Sequence, residues 1–152
     1  MPHSISLIYV YLPTASRYDQ VKASIEDGFS LLLIDDNALF LHHVTRFLNR
    51  EAHQCVVATA QNGPDGVAKA RLHQPDLILL DLSMPGQSGF ETIPQLKEVA
   101  PRVRIIVLTM LDGEAYRERA LRCGADAYVT KATMTHTLLP EIVQLAGQSL
   151  RE

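Results

Sequence analysis

The sequence predicts an α/β fold: one doubly wound parallel sheet of five strands with helices on both faces. Three observations predict it. Short apolar runs alternate five times with amphipathic stretches of helical period. Two of the runs, Leu31-Leu32-Leu33-Ile34 and Leu77-Ile78-Leu79-Leu80, are uninterrupted, as in strands buried on both faces. Four of the five runs also end at residues able to do chemistry: Asp35-Asp36, Asp81, Thr109 and Lys131.

At 152 residues the chain reads as one globular domain behind a leader, long enough to bury roughly 68–70% of its unfolded surface. Hydrophobic residues make up 47% and charged residues 20%, which excludes a mainly disordered chain. A formal net charge of -3 gives no global attraction to nucleic acid. Cys55 and Cys123 lie far apart and read as reduced, buried packing residues of a cytoplasmic protein. No apolar run reaches the ~20 residues that span a bilayer. Ser4 to Leu12 is apolar, but no Lys or Arg precedes it and no small-residue cleavage site follows.

Residues 1–28 form an N-terminal extension. Ile5 to Tyr11 has the content of a short strand ended by Pro13. Ser16-Arg17-Tyr18-Asp19 has the form of a capping box, with Tyr18, Val21 and Ile25 at helical spacing and Gly28 as a stop. A docking or dimer role is one reading of this extension; a loosely packed leader is the other.

From Phe29 the pattern is regular. Leu31 to Ile34 is a strand, and Asn37 caps a helix whose face carries Phe40, Leu41, Val44, Phe47 and Leu48. Cys55 to Ala58 is the second strand. Asn62-Gly63-Pro64-Asp65 starts a helix to about His73. After the strand Leu77 to Leu80 and the turn Pro85-Gly86, Phe90, Ile93 and Leu96 mark a third helix, in which Pro94 removes a hydrogen bond unless it lies in the first turn. Val103 to Leu108 is the fourth strand, and Asp112 is expected to cap a helix through Cys123, stopped by Gly124. Ala127 to Thr130 is the fifth strand. A last helix carries Leu138, Leu139, Ile142, Leu145, Ala146 and Leu150, with Pro140 expected near its start.

Parallel strands bring Asp35, Asp36, Asp81, Thr109 and Lys131 to one edge. Like-charged carboxylates about 4 Å apart repel by on the order of 4 kcal/mol per pair at an effective dielectric near 20. A hard divalent cation such as Mg²⁺ suits these oxygen donors. Lys131 and the Thr109 hydroxyl could then hold oxygens of a phosphorylated ligand, with Asp81 as nucleophile.

Leu31 to Asp36, Leu77 to Gly86 with Gly89, Ile105 to Thr109 and Gly124 to Lys131 together resemble the receiver domain of two-component response regulators. Residues 29–152 are read as that domain. The resemblance implies a flavodoxin-like (CheY-like) sheet of order 2-1-3-4-5. It also implies phosphorylation of Asp81 by a sensor histidine kinase or histidine phosphotransfer protein. It assigns the Mg²⁺ site to Asp35, Asp36, Asp81 and the backbone carbonyl of Ser83, and phosphate sensing to Thr109 and Lys131. Thr109 and Tyr128 become the switch that reports to a downstream protein, or to a second copy, through the face of helix 4, strand 5 and helix 5. Thr109-Met110 and Gly124 to Lys131 are most similar to receivers that carry a C-terminal helix-turn-helix.

No helix-turn-helix follows Leu150 in this sequence, so the output belongs to a separate protein or to a further domain, and direct nucleic-acid binding by this chain is not expected; without a bilayer-spanning run, neither is membrane association. Nor is catalysis on a foreign substrate. The Asp-x-Asp motif of aspartate-nucleophile phosphatases is missing, since Ser83 holds its second position, and no Gly-rich nucleotide loop occurs. The remaining alternative is a receiver-fold interaction domain that works without phosphorylation. Two features depart from the family pattern. Ala132 follows Lys131 where proline is common, so a trans peptide is expected. Met110 follows Thr109 where a small residue is common, and is expected to crowd the phosphorylation pocket. His42 and His43 read as helix surface, as do Arg117, Arg119 and Arg122.

Overall fold

The computed structural model describes residues 29–52 and 56–149, together with Asp19 and Ala23. The expected strand at Ile5 to Tyr11, most of the expected helix from Ser16 to Gly28, Cys55 and Leu150 lie outside the described residues. Five strands, β1 (Leu31–Ile34), β2 (Val56–Ala60), β3 (Leu77–Leu80), β4 (Arg104–Thr109) and β5 (Ala127–Thr130), alternate with helices. The helices are α1 (Ala38–Ala52), α2 (Gly63–His73), α3 (Gly89–Val99), α4 (Glu114–Cys123) and α5 (Met134–Ser149). A single 3₁₀ turn, Lys131–Thr133, precedes α5. Among the described residues all pairings are parallel, as the alternation predicts, and the sheet order is β2-β1-β3-β4-β5, as the family resemblance implies.

The period of two along each strand divides the core. Leu31, Leu33, Leu77, Leu79, Ile106 and Leu108 face one layer, where they meet Leu41, Val44 and Leu48 of α1 and Leu138, Ile142 and Ala146 of α5. Leu32, Ile34, Ile78, Leu80, Ile105 and Val107 face the other, against Ala70 of α2, Phe90, Ile93 and Leu96 of α3 and Ala120 of α4. Strand order reverses about β1, and the crossovers therefore place α1 and α5 opposite α2, α3 and α4. The carboxyl ends of β1 and β3 meet at that switch point, where α/β sheets gather ligands.

Local chemistry explains most boundaries. The Phe40 N–H donates to Asn37 Oδ1 (3.0 Å), so the expected asparagine cap forms, and the Asp65 N–H donates to Asn62 Oδ1 (2.8 Å), a second cap at the turn expected to start α2. Gly124 stops α4 at φ +118°, and its N–H donates to the Leu121 carbonyl. Asp112 does not cap α4: Gly113 holds that position, and no side chain accepts a first-turn N–H there. Pro140 lies past the first turn of its helix and not near its start as expected, and Pro94 also lies past the first turn of α3, where it removes a hydrogen bond. Both prolines are exposed. β2 runs on past Ala58 because Thr59 and Ala60 pair with Leu33 and Ile34. Val103 is a turn residue, its N–H bonded to the Ala100 carbonyl. Cys123 is half-buried instead of buried. The peptide after Lys131 is trans.

Asp126 ties the turn before β5 to the sheet. Its carboxylate accepts from the Ile105 N–H (2.8 Å) and Lys97 Nζ (3.0 Å), with Arg104 at 3.5 Å. Removing a carboxylate that satisfies a buried N–H and two cations should cost about 2–3 kcal/mol. Asp126→Ala is therefore expected to lower the urea midpoint with an unchanged denaturant slope; an unmoved midpoint would refute this anchoring role.

Candidate functional site

The register delivers the candidate residues. Ile34 pairs with Leu80, so Asp35 and Asp81 leave adjacent strands at the same level. The Asp81 N–H donates to the Ile34 carbonyl and the Asp35 N–H to the Ala60 carbonyl, each at 3.0 Å, which fixes both backbones. Asp35, Asp81 and Thr109 are buried, at 4%, 5% and 0% exposure, whereas Asp36 faces solvent. One carboxylate oxygen from each of Asp35, Asp36 and Asp81 lies within 4.8 Å of the others. Among the described residues this is the group of acids, cysteines and histidines arranged to hold a metal; His42 and His43 are exposed and take no part.

Lys131 enters this cluster from the end of β5. Its ammonium donates to Asp35 Oδ2 at 2.6 Å, stands 4.0 Å from Asp81 Oδ2 and lies 3.9 Å from the centroid of the Phe40 ring. The other Asp35 oxygen accepts from the Asn37 N–H (2.9 Å). Asp81 keeps a raised pKa nonetheless, first because burial penalises its charge and second because Asp35 repels it. Lys131, the Thr109 hydroxyl and the Ser83 N–H pull in the opposite direction. An all-oxygen donor set with excess negative charge fits a hard divalent cation, and the acids and Ser83 leave no soft ligand in the cluster.

The loop behind Asp81 is shaped by close approach. Gly86 takes φ +82° after Pro85, and the Gly89 N–H returns to the Leu82 carbonyl (3.0 Å). A Cβ on Gly89 would fall 2.4 Å from the Asp81 carbonyl oxygen and 2.8 Å from Leu82 Cα, both backbone atoms with little room to yield. Gly89→Ala is expected to cost about 2–3 kcal/mol by overpacking. Thermal denaturation reads that loss, and an unchanged melting temperature would show that the loop can move aside.

A second chain of contacts leads away from Asp81. The Thr109 hydroxyl favours the charged form of the nearby Asp81 carboxylate, and its oxygen accepts the Leu111 N–H (3.3 Å). The Leu111 carbonyl accepts the Tyr128 hydroxyl proton (2.7 Å). Tyr128 is buried, and burial, Asp112, Tyr116 and Asp81 together raise its pKa. Met110 does not crowd the cleft as expected: it is 71% exposed. Arg117 and Arg122 are exposed, and Arg119 is exposed too, with its guanidinium 4.0 Å from the Phe90 ring centroid. Sequence reading missed the parts played by Phe40 and the Leu111 peptide. Phe40 shows only as an apolar helix position, and a main-chain relay leaves no mark in side-chain identities.

Residues 31–143 match the family described as the response regulator receiver domain. The nitrate/nitrite response regulator protein NarL of Escherichia coli (strain K12) is 37% identical over 124 residues, which cover 82% of this chain and 57% of NarL. The chain thus spans little more than half the length of that relative. The protein PilH of Pseudomonas aeruginosa is 38% identical over 120 residues, covering 77% of this chain and 98% of PilH. A LuxR-family two-component response regulator from Aurantimonas superposes with a TM-score of 0.75 at 27% identity, covering 80% of this chain and 86% of that one.

Proposed function

Since this chain belongs to the response regulator receiver domain family, a module of phosphorylation-based signalling, we propose that Asp81 is the residue that carries the phosphoryl group. The observation that supports this most is the convergence of a buried, raised-pKa carboxylate with two further acids, a hydroxyl and an ammonium at one switch point. The donor is the phosphohistidine of a sensor kinase or phosphotransfer protein. Its P–N bond breaks as a P–O bond to Asp81 forms, and the imidazole leaves with the electron pair and takes up a proton. Water later cleaves the acyl phosphate, returning the carboxylate and inorganic phosphate.

Asp35, Asp36, Asp81 and the Ser83 carbonyl would hold Mg²⁺. When bound, the cation supplies charge neutralisation to the phosphoryl oxygens, which is most of what phosphoryl transfer requires. Lys131 would exchange its bond with Asp35 for one to a phosphoryl oxygen, and Thr109 would donate to another. Thr109 would then draw on the Leu111 segment, which bears the Tyr128 hydroxyl. The output surface is the face of α4, β5 and α5, where a cleft of about 270 Å³ is lined by Asp112, Arg117, Tyr128, Thr130 and Glu141. Its partner is a downstream protein or a second copy. The module acts only on its own phosphorylation state. A cytoplasmic location accords with this role, and among the described residues no helix is long and apolar enough to cross a membrane.

Incubation with Mg²⁺ and a small phosphodonor, followed by intact-mass measurement, tests the proposal. Wild type should gain one phosphoryl mass, and Asp81→Asn or added EDTA should abolish it. No adduct on wild type, or an equal adduct on the variant, would favour a phosphorylation-independent interaction domain. Sizing with and without beryllofluoride then reads whether activation changes assembly.

A further inference from the structure

A lysine ammonium carries three N–H donors, and the Lys131 side chain is only 11% exposed. Among the described residues this ammonium makes one hydrogen bond, to Asp35 Oδ2 at 2.6 Å. Asp81 Oδ2, at 4.0 Å, is beyond hydrogen-bond reach. One charge-assisted bond does not replace the water that a nearly buried ammonium gives up. A further side of the charge is covered by the face of Phe40, whose ring centroid lies 3.9 Å from Nζ. That distance is well inside the roughly 6 Å over which an aromatic face attracts a cation, and the attraction is strongest where water is scarce.

The carboxylate that binds the ammonium also fixes the ring. Asp35 Oδ2 takes the Lys131 proton, while Asp35 Oδ1 accepts the Asn37 N–H at 2.9 Å. Asn37 Oδ1 in turn accepts the Phe40 N–H at 3.0 Å, which sets the first turn of α1. Asp35, Asn37, Phe40 and Lys131 therefore form a closed circuit, although Lys131 arrives from 96 residues away. Phe40 also bounds a void of about 10 Å³ with Asp35, Asp81, Leu79 and Leu108. A space that small holds at most one water, so no layer of solvent separates the ring from the two buried acids.

We propose that Phe40 is a positioning residue for Lys131: its ring face holds the ammonium at the acidic edge while the hydrogen-bond partner of that ammonium changes. The bond to Asp35 has to break when Lys131 turns to a phosphoryl oxygen. A ring face attracts a cation over a range of positions and need not release it. Phe40 thus keeps the ammonium out of bulk water before and after the exchange. An aliphatic side chain of similar size covers the same surface without this attraction, and Lys131 then spends more of its time in solvent. The consequence for phosphoryl transfer rests on Asp81 being the acceptor; the contact between ring and ammonium does not.

A double-mutant cycle in EDTA with Phe40→Leu and Lys131→Met, read by urea denaturation of the full chain, tests the contact without phosphorylation. Phe40→Leu should lower the folding constant about fivefold more when Lys131 is present than when methionine replaces it. Phe40→Tyr, which keeps the ring, should change both backgrounds alike. Should Lys131→Met not fold, the recovery given by Phe40→Tyr over Phe40→Leu in the Lys131 chain carries the test. With Mg²⁺ and a small phosphodonor, Phe40→Leu should be phosphorylated several times more slowly than wild type at unchanged Mg²⁺ half-saturation. Equal losses in both backgrounds, no recovery by tyrosine, or a wild-type phosphorylation rate in Phe40→Leu would overturn the proposal. A wild type that gains no phosphoryl mass refutes the reading of Asp81 instead, and the cycle in EDTA then decides the contact by itself.

Discussion

Lys131→Ala should destabilise the domain by about 3 kcal/mol at neutral pH in EDTA, because it leaves two buried carboxylates facing each other without a cation. In wild type the ammonium donates to Asp35 and stands 4.0 Å from Asp81, and all three side chains are at most 11% exposed. For a chain of this length the loss corresponds to roughly 6–12 °C in melting temperature. Two companions separate the charge effect from lost packing on Phe40. Saturating Mg²⁺ should recover much of the loss by replacing the missing positive charge. Adding Asp35→Asn to Lys131→Ala should cost less than the two single losses summed, since the repulsion disappears with its source. Denaturation giving equal stability for wild type and Lys131→Ala would show that the ammonium neutralises nothing.

Asp81→Asn is expected to do the reverse and stabilise the cation-free domain by about 1–2 kcal/mol at neutral pH, even as it removes the phosphoryl acceptor. Burial and then Asp35 raise the folded-state pKa of Asp81, so the folded chain binds this proton more tightly than the unfolded chain does. The resulting penalty is absent below the ordinary carboxylate pKa. It grows as pH rises toward the folded value and is complete above it. The advantage of Asp81→Asn over wild type should therefore widen with pH from about 4 to neutrality and then level off. Mg²⁺ reverses the ranking: at a hundredfold excess over its dissociation constant a bound ligand adds about 2.7 kcal/mol, and the variant, short of one carboxylate, gains less. Parallel melting curves in EDTA and in Mg²⁺ over this pH range check both signs. A variant less stable than wild type in EDTA would mean that Asp81 supports the fold instead of straining it.

The two substitutions show where the site's tension lies, and the rest of the domain absorbs it. The Ile34–Leu80 pairing and the main-chain bonds of Asp35 and Asp81 hold the acids in place whatever their charge. Gly89 lets the following loop pass close enough to the Asp81 carbonyl to keep that strand end rigid. A carboxylate held at an energetic cost is poised to exchange that cost for a cation and a phosphoryl group.

The sequence by itself determined the sheet. Uninterrupted apolar runs can be satisfied only between two layers of helices, and five alternations leave little choice but a parallel, doubly wound order. It also determined the cap at Asn37, the helix start after Asn62 and the stop at Gly124, because these depend on neighbours three or four residues away. It did not determine the start of α4, where a glycine took the position expected of Asp112. Nor did it place Pro140, which lies past the first turn of its helix. At the site, the strand ends named the residues, but only the tertiary structure decided their partners. Lys131, expected to wait for phosphate, is bonded to Asp35 across 96 residues of chain, over a phenylalanine that the sequence presented as core. Such a pairing depends on distances set by sheet register and on charges that no local pattern records.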